Sequence, residues 1–152
     1  MRPASLRFLL FFFLICFAAS VNAQAIYWAK DGNSYYRSEA GDIVQYSLPA
    51  NTKNVIIKKD DLKPAGTDKS IPIRSFRFSD GGSKALIYTN SKKVWRQDTR
   101  GDYWVYDMNS KELKQLGKGK PVSSLMFAKF SPDEKYVAYV SEYNLYAEDI
   151  SS

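Results

Sequence analysis

The 152-residue sequence contains no histidine and only one cysteine, Cys16. Without an imidazole, a histidine-dependent serine or cysteine hydrolase cannot be assembled from this chain alone. No G-x-S-x-G turn, Walker loop or dinucleotide fingerprint is present either. No acidic cluster has the spacing of a calcium loop. These absences leave no catalytic residue, no metal ligand set and no cofactor to name, and on its own the chain reads as a non-enzyme.

Long hydrophobic runs are also missing, apart from one at the start. Residues 1–23 open with Arg2 and Arg7, continue through an apolar run at 8–17, and end Ser20-Val21-Asn22-Ala23. A basic start, a short apolar middle and small residues before Gln24 describe a signal peptide cleaved after Ala23. The run is shorter than the ~20 residues a membrane anchor needs, so no membrane attachment is expected after cleavage. Ile15 is too bulky for a lipoprotein cleavage site ahead of Cys16. The mature chain, residues 24–152, would then carry no cysteine, which excludes disulfides, zinc-thiolate sites and a cysteine nucleophile. The expected location is outside the cytoplasm, periplasmic or extracellular.

Charge of one sign does not dominate. The net charge is +6, and +4 once Arg2 and Arg7 are removed. The lysines are scattered, with short clusters at Lys58-Lys59 and Lys118–Lys120. No basic stripe interleaved with aromatics appears, so nucleic acid is not an expected partner. The pair Asp60-Asp61 lies beside Lys58 and Lys59 and reads as a solvated charge run.

What the chain does have is aromatic and β-branched residues in short runs, split by Gly, Asp, Asn, Ser and Pro. Tyr and Phe together number 20. No stretch of a dozen residues after the leader keeps apolar residues at helical spacing, so the chain is all-β. The runs fall into fours: 26–28, 34–38, 42–48 and 54–58, then 73–79, 84–89, 102–108 and 112–116. A polar connection, 59–70, separates these two groups. A third group starts at 124–130, 136–141 and 144–149.

The groups resemble one another. "FSDGGSKALIYT" at 78–89 is repeated by "FSPDEKYVAYV" at 130–140, which reads as one residue shorter; Trp28-Ala29-Lys30-Asp31-Gly32 is a looser copy. Tyr46, Tyr106 and Tyr146 recur in the third strands. In each motif Ser offers a hydroxyl to turn amides, Asp can bind amides ahead of it, Pro132 presets φ, and Gly81 and Gly82 supply positive φ. Four antiparallel strands repeating every 40–50 residues describe a β-propeller blade. A two-sheet β-sandwich is the competing architecture. The expected fold is a partial propeller of two four-stranded blades plus most of a third.

The segments "SFRFSDGGSKALIYTN", "KKVWRQDTRGDYWVYDM" and "MFAKFSPDEKYVAYVSEYNLYAEDI" resemble the N-terminal propeller of dipeptidyl peptidase IV-type serine exopeptidases, of the prolyl oligopeptidase clan. The Trp-Arg pair between second and third strands is the most specific element. The resemblance implies an incomplete propeller domain over 24–152, whose remaining blades and hydrolase domain lie elsewhere. It implies a full-length enzyme that releases N-terminal dipeptides with proline or alanine before the cut. It further implies that Arg96 binds the substrate's backbone carbonyl, and that the substrate's N-terminus and a second copy of the full-length protein are partners. The family's Glu-Glu pair and Ser-Asp-His triad do not occur here.

Read without the resemblance, Arg96 is a solvated loop charge. Trp95 either supports Arg96 by stacking or, as the preferred reading, packs between blades. Tyr88, Tyr103, Trp104, Tyr106, Tyr139 and Tyr146 read as blade core. Two rival readings of the whole remain: a non-enzymatic exported propeller module that binds peptides or an envelope protein, and a nonfunctional remnant. In isolation an open ring would leave apolar faces uncovered, so the separated chain is expected to be poorly soluble or oligomeric.

Overall fold

The computed structural model describes residues 25–151. The expected leader, its cleavage site and Cys16 lie outside the described residues.

The turns explain why strands form where they do. In three places a backbone N–H donates to the carbonyl five residues ahead: Ala29 to Ser34, Ser79 to Lys84 and Ser131 to Tyr136, at 2.8–2.9 Å. In each turn the N–H three residues on (Gly32, Gly82, Glu134) donates back to the carbonyl of the first residue. Each of those third residues has positive φ, at 67°, 74° and 59°. The Ser79 and Ser131 hydroxyls accept from the Lys84 and Tyr136 amides, both at 3.0 Å. Asp31 accepts from the Asn33 and Ser34 amides. The motifs therefore work as the sequence suggests, with two corrections. The copies at 79 and 131 have equal turn length, so no residue is missing from the second. Only Gly82 takes positive φ. Gly81 is instead a point of close approach, where a Cβ would lie 2.8 Å from Oε1 of Glu134.

Among the described residues eleven strands form three antiparallel sheets, and these turns join the first two strands of each. The first sheet runs β1 (Tyr27–Trp28), β2 (Ser34–Glu39), β3 (Asp42–Ser47), β4 (Thr52–Ile57). The second runs β5 (Ser75–Phe78), β6 (Lys84–Val94), β7 (Gln97–Asp107), β8 (Leu113–Gln115). The third holds β9 (Met126–Phe130), β10 (Tyr136–Ser141) and β11 (Asn144–Asp149). The polar connection after β4 differs from expectation. It contains a 3-10 helix, Lys59–Leu62, that drives Leu62 fully into the core.

The two-sided burial of the middle sheet decides between sandwich and propeller. Ala85, Ile87 and Tyr106 face one way and join Ile43, Ile57 and Leu62 in a core with the first sheet. The residues between them, Leu86 and Val105, face the other way and join Val137, Tyr139 and Ile150 in a core with the third sheet. Successive side chains of a strand point to opposite faces, so one sheet serves two separate cores. In a two-sheet sandwich each sheet buries a single face. Here the sheets stack in chain order, and the fold is a partial β-propeller: two four-stranded blades and three strands of a third. The outward faces of the first and third blades carry apolar surface, including Trp28 at 61% exposed and Leu145 at 77%.

Candidate functional site

Among the described residues, the central hairpin of blade 2 has the longest strands, eleven residues each. The sequence ends its two strands at residues 89 and 102, but both continue. The ladder beyond Thr89↔Asp102 runs through Lys92↔Arg100, Lys93↔Asp98 and Val94↔Gln97. The result is an arm, residues 90–101, that rises out of the sheet. Irregularities in register on either side of Lys92 bend it. The arm lacks the alternating apolar residues that mark the strands below, which is why its strands are hidden from a pattern search.

Val94 pairs with Gln97, so Trp95 and Arg96 alone form the turn. Two-residue hairpin loops match the strand twist when the first central residue has positive φ. Trp95 meets that requirement at φ 57°. A side chain as large as tryptophan held there costs on the order of 1–3 kcal/mol of backbone strain. The preferred reading of Trp95, packing between blades, is overturned: the residue is 85% exposed. It lies instead against its neighbour, with the Arg96 guanidinium carbon 4.9 Å from the indole centroid. That is a cation–π arrangement. Among the described residues Arg96 has no carboxylate partner, so its forked N–H donors are available to an incoming acceptor.

The base of the arm is built from residues that the sequence reading assigned elsewhere or passed over. Tyr88, expected in the core, is buried, and its hydroxyl also reaches the arm. It donates to the Arg100 carbonyl at 2.7 Å, with the Asp98 carbonyl at 3.1 Å. Burial pushes the Tyr88 phenol up to about 12, with Tyr103 and Asp98 adding to the shift. It therefore remains a donor throughout the neutral range. Asp98 is further held by Arg74 at 3.0 Å. Gly101 leaves room for the Tyr88 ring: a Cβ there would lie 2.3 Å from a ring carbon and 2.7 Å from the Thr89 carbonyl oxygen. A lone glycine in a strand pattern is a signal for such close approach.

Blade 3 also holds the arm. Gly101 and Leu125 exchange backbone hydrogen bonds at 3.0 and 3.1 Å. Leu125 was expected at the head of blade 3's first strand; it bridges to the neighbouring blade instead, and β9 begins at Met126. Asp102 binds on both sides: Oδ1 accepts from the Ser123 N–H and Oδ2 from the Asn90 side-chain amide, each at 2.7 Å. The Ser123 hydroxyl donates to the Asn90 carbonyl at 2.7 Å, closing the triangle. The arrangement sets one unpaired guanidinium at the tip of an anchored arm. Chemically, such a group can donate to a carbonyl or carboxylate oxygen. Elsewhere, Asp60 pairs with Lys63 at 2.7 Å as an exposed charge, in keeping with the expected solvated run, but Asp61 is half-buried and adds to the burial that pushes the Tyr106 phenol up.

Residues 79–152 match the family described as the dipeptidyl peptidase IV (DPP IV) N-terminal region. A probable dipeptidyl-aminopeptidase B of Arthroderma gypseum is 27% identical over 107 residues, covering 70% of this chain and 12% of that protein. Dipeptidyl aminopeptidase B of Saccharomyces cerevisiae is 32% identical over 78 residues, covering 51% of this chain and 9% of the yeast protein. The chain thus spans about an eighth or less of these two relatives. The crystal structure of Porphyromonas gingivalis dipeptidyl peptidase 4 superposes with a TM-score of 0.71 at 21% identity, over 84% of this chain and 18% of that one. The structural likeness shows the shared fold, and the family match runs through the arm and all of blade 3. Residues 79–152 are thus similar to a dipeptidyl peptidase IV N-terminal region, and the chain shares its propeller fold with the solved dipeptidyl peptidase 4.

Proposed function

We propose that the chain is the opening part of the propeller of a dipeptidyl peptidase that cuts dipeptides from peptide N-termini, and that Arg96 is its contribution to substrate binding. The relatives' names support the activity. The observation that carries the site is the Arg96 guanidinium, without a carboxylate partner and stacked on Trp95, at the tip of an anchored arm. In this reading Arg96 donates to a backbone carbonyl near the scissile bond, while a nucleophile supplied outside this chain does the chemistry. The blades wall the approach and screen substrates by size. The protein is exported, on the pattern of residues 1–23, and the full-length protein forms a homodimer.

A charge-assisted hydrogen bond of this kind contributes about 1.5–3 kcal/mol. Arg96→Ala in the full-length protein is therefore expected to lower kcat/KM on dipeptidyl chromogenic substrates by about tenfold or more, with the melting temperature unchanged. An unchanged kcat/KM removes Arg96 from the site. Absence of any hydrolysis by the full-length wild-type protein favours the non-enzymatic, peptide-binding propeller instead.

A further inference from the structure

We infer that Asp102 is a positioning residue for Arg96, and that the aim of the arm is set from blade 3 through Ser123. The inference rests on the reading of Arg96 as a substrate-binding group.

The arm has no core of its own. Its exposed ladder residues Lys92, Lys93, Val94, Gln97 and Arg100 bury little surface, so packing does not fix its direction. Direction must come from its base. Two groups of bonds act there. Tyr88 holds the β7 side from below through the Arg100 and Asp98 carbonyls. Asp102 holds the β6 side and ties it to another blade, since its two oxygens bind Asn90 and Ser123 at once. Both of those partners have left-handed backbones, Asn90 at φ 46° and Ser123 at φ 55°. A serine in that region is uncommon and is strained. The carboxylate holds the Ser123 backbone amide directly and the Asn90 side chain, while the Ser123 hydroxyl holds the Asn90 backbone carbonyl, so the three residues fix both left-handed positions together. Asn90 is also the point where the ladder loses its regular register. The clamp therefore sits at the hinge between the buried sheet and the free arm.

Ser123 lies 21 residues beyond Asp102 in sequence, on the segment that enters blade 3. Its amide and hydroxyl reach back to the hinge of blade 2. The position of the tip thus depends on how blade 3 docks. A displacement of about 1 Å at a substrate-binding group can cost up to about a hundredfold in rate, so the clamp has leverage on catalysis without touching substrate.

The test uses the full-length enzyme and four variants: Arg96→Ala, Asp102→Ala, Asp102→Asn and the double variant Arg96→Ala/Asp102→Ala. Asp102→Ala is expected to lower kcat/KM by about tenfold, mainly through KM. The double variant is expected to be no worse than Arg96→Ala alone, because a residue acting only through Arg96 has nothing left to position. Asp102→Asn keeps one acceptor oxygen for the Ser123 amide and is expected to recover part of the loss. Hydrogen exchange gives a readout independent of turnover: Asp102→Ala should raise exchange across residues 91–99 while residues 85–87 and 104–106 stay protected. If the two losses multiply, or the arm's exchange does not change, the positioning role is overturned. If Arg96→Ala leaves kcat/KM unchanged, the site reading fails and takes the positioning role with it, even where exchange shows the arm loosened. If Asp102→Ala does not fold, Asp102→Asn carries the exchange comparison, and Ser123→Ala, which removes the hydroxyl bond to the Asn90 carbonyl, should loosen the arm in the same direction.

Discussion

The two halves of the β6–β7 hairpin share one continuous ladder but are held by different forces. In the lower half, residues 84–89 and 102–107, side chains alternate between two cores, and burial fixes every register pair. In the upper half, residues 90–101, almost nothing but Gly101 is buried, and the ladder depends on Tyr88, Asp102, Gly101 and an external serine. The lower half resists change because it is packed. The upper half is free to present the Trp95–Arg96 turn to solvent because it is not, and its direction comes from a few hydrogen bonds at the base.

The difference can be broken from either side. The largest effect is expected in the lower half. Ile87 is fully buried between blades 1 and 2, and Ile87→Ala should cost about 2–5 kcal/mol of stability, read by denaturant unfolding. Gly101→Ala attacks the boundary, pushing a methyl into the Tyr88 ring and the Thr89 carbonyl. A loss of about 1–3 kcal/mol is expected, together with greater exchange in the arm. In the upper half, Arg96→Ala should change catalysis and leave stability alone, as set out above. The smallest effect belongs to Lys93→Ala, an exposed ladder residue, which should move stability by no more than about 0.5 kcal/mol. A large loss there would mean that the arm packs against something in the full-length protein.

A pH prediction sharpens the contrast between packed and hydrogen-bonded contacts. The Glu134 carboxylate accepts from the Ser83 hydroxyl and the Gly81 amide of the neighbouring blade, and these bonds hold it below its ordinary value of 4.5. A lowered folded-state value means that the stabilisation is present above about pH 4.5 and is lost as pH falls through the folded-state value. The blade 2–blade 3 turn contact should therefore weaken in acid while the apolar core between the same blades does not. Glu134→Gln should flatten that part of the stability profile, as measured by melting between neutral and acidic pH.

The sequence made the blades legible because most of the buried strands are flanked by turn signals. Gly32, Gly82 and Asp133 punctuate the runs, and Phe78 and Phe130 end inner strands where expected. The Trp95–Arg96 pair was also visible as a candidate. Its support was not. Asp102 looks like any strand-edge acid, and its partners lie 12 residues before it and 21 after it. Leu62 was hidden for a related reason: one leucine among polar neighbours shows no periodicity, yet a single 3-10 turn is enough to bury it. Trp95 was misread because burial is the usual fate of a tryptophan, whereas a two-residue turn displays both of its side chains.

The three turns that open the blades are alike in backbone but carry different addresses. Lys30 of the first reaches the Asp80 carbonyl and carboxylate of the second, and Glu134 of the third reaches back to Gly81 and Ser83 of that same turn. A base comes from one side and an acid from the other, so the middle turn can tell its two neighbours apart. Repeats this similar could dock in the wrong order as the blades assemble. A chimera with the first and third turn sequences exchanged would keep every strand and lose the cue that sets their order.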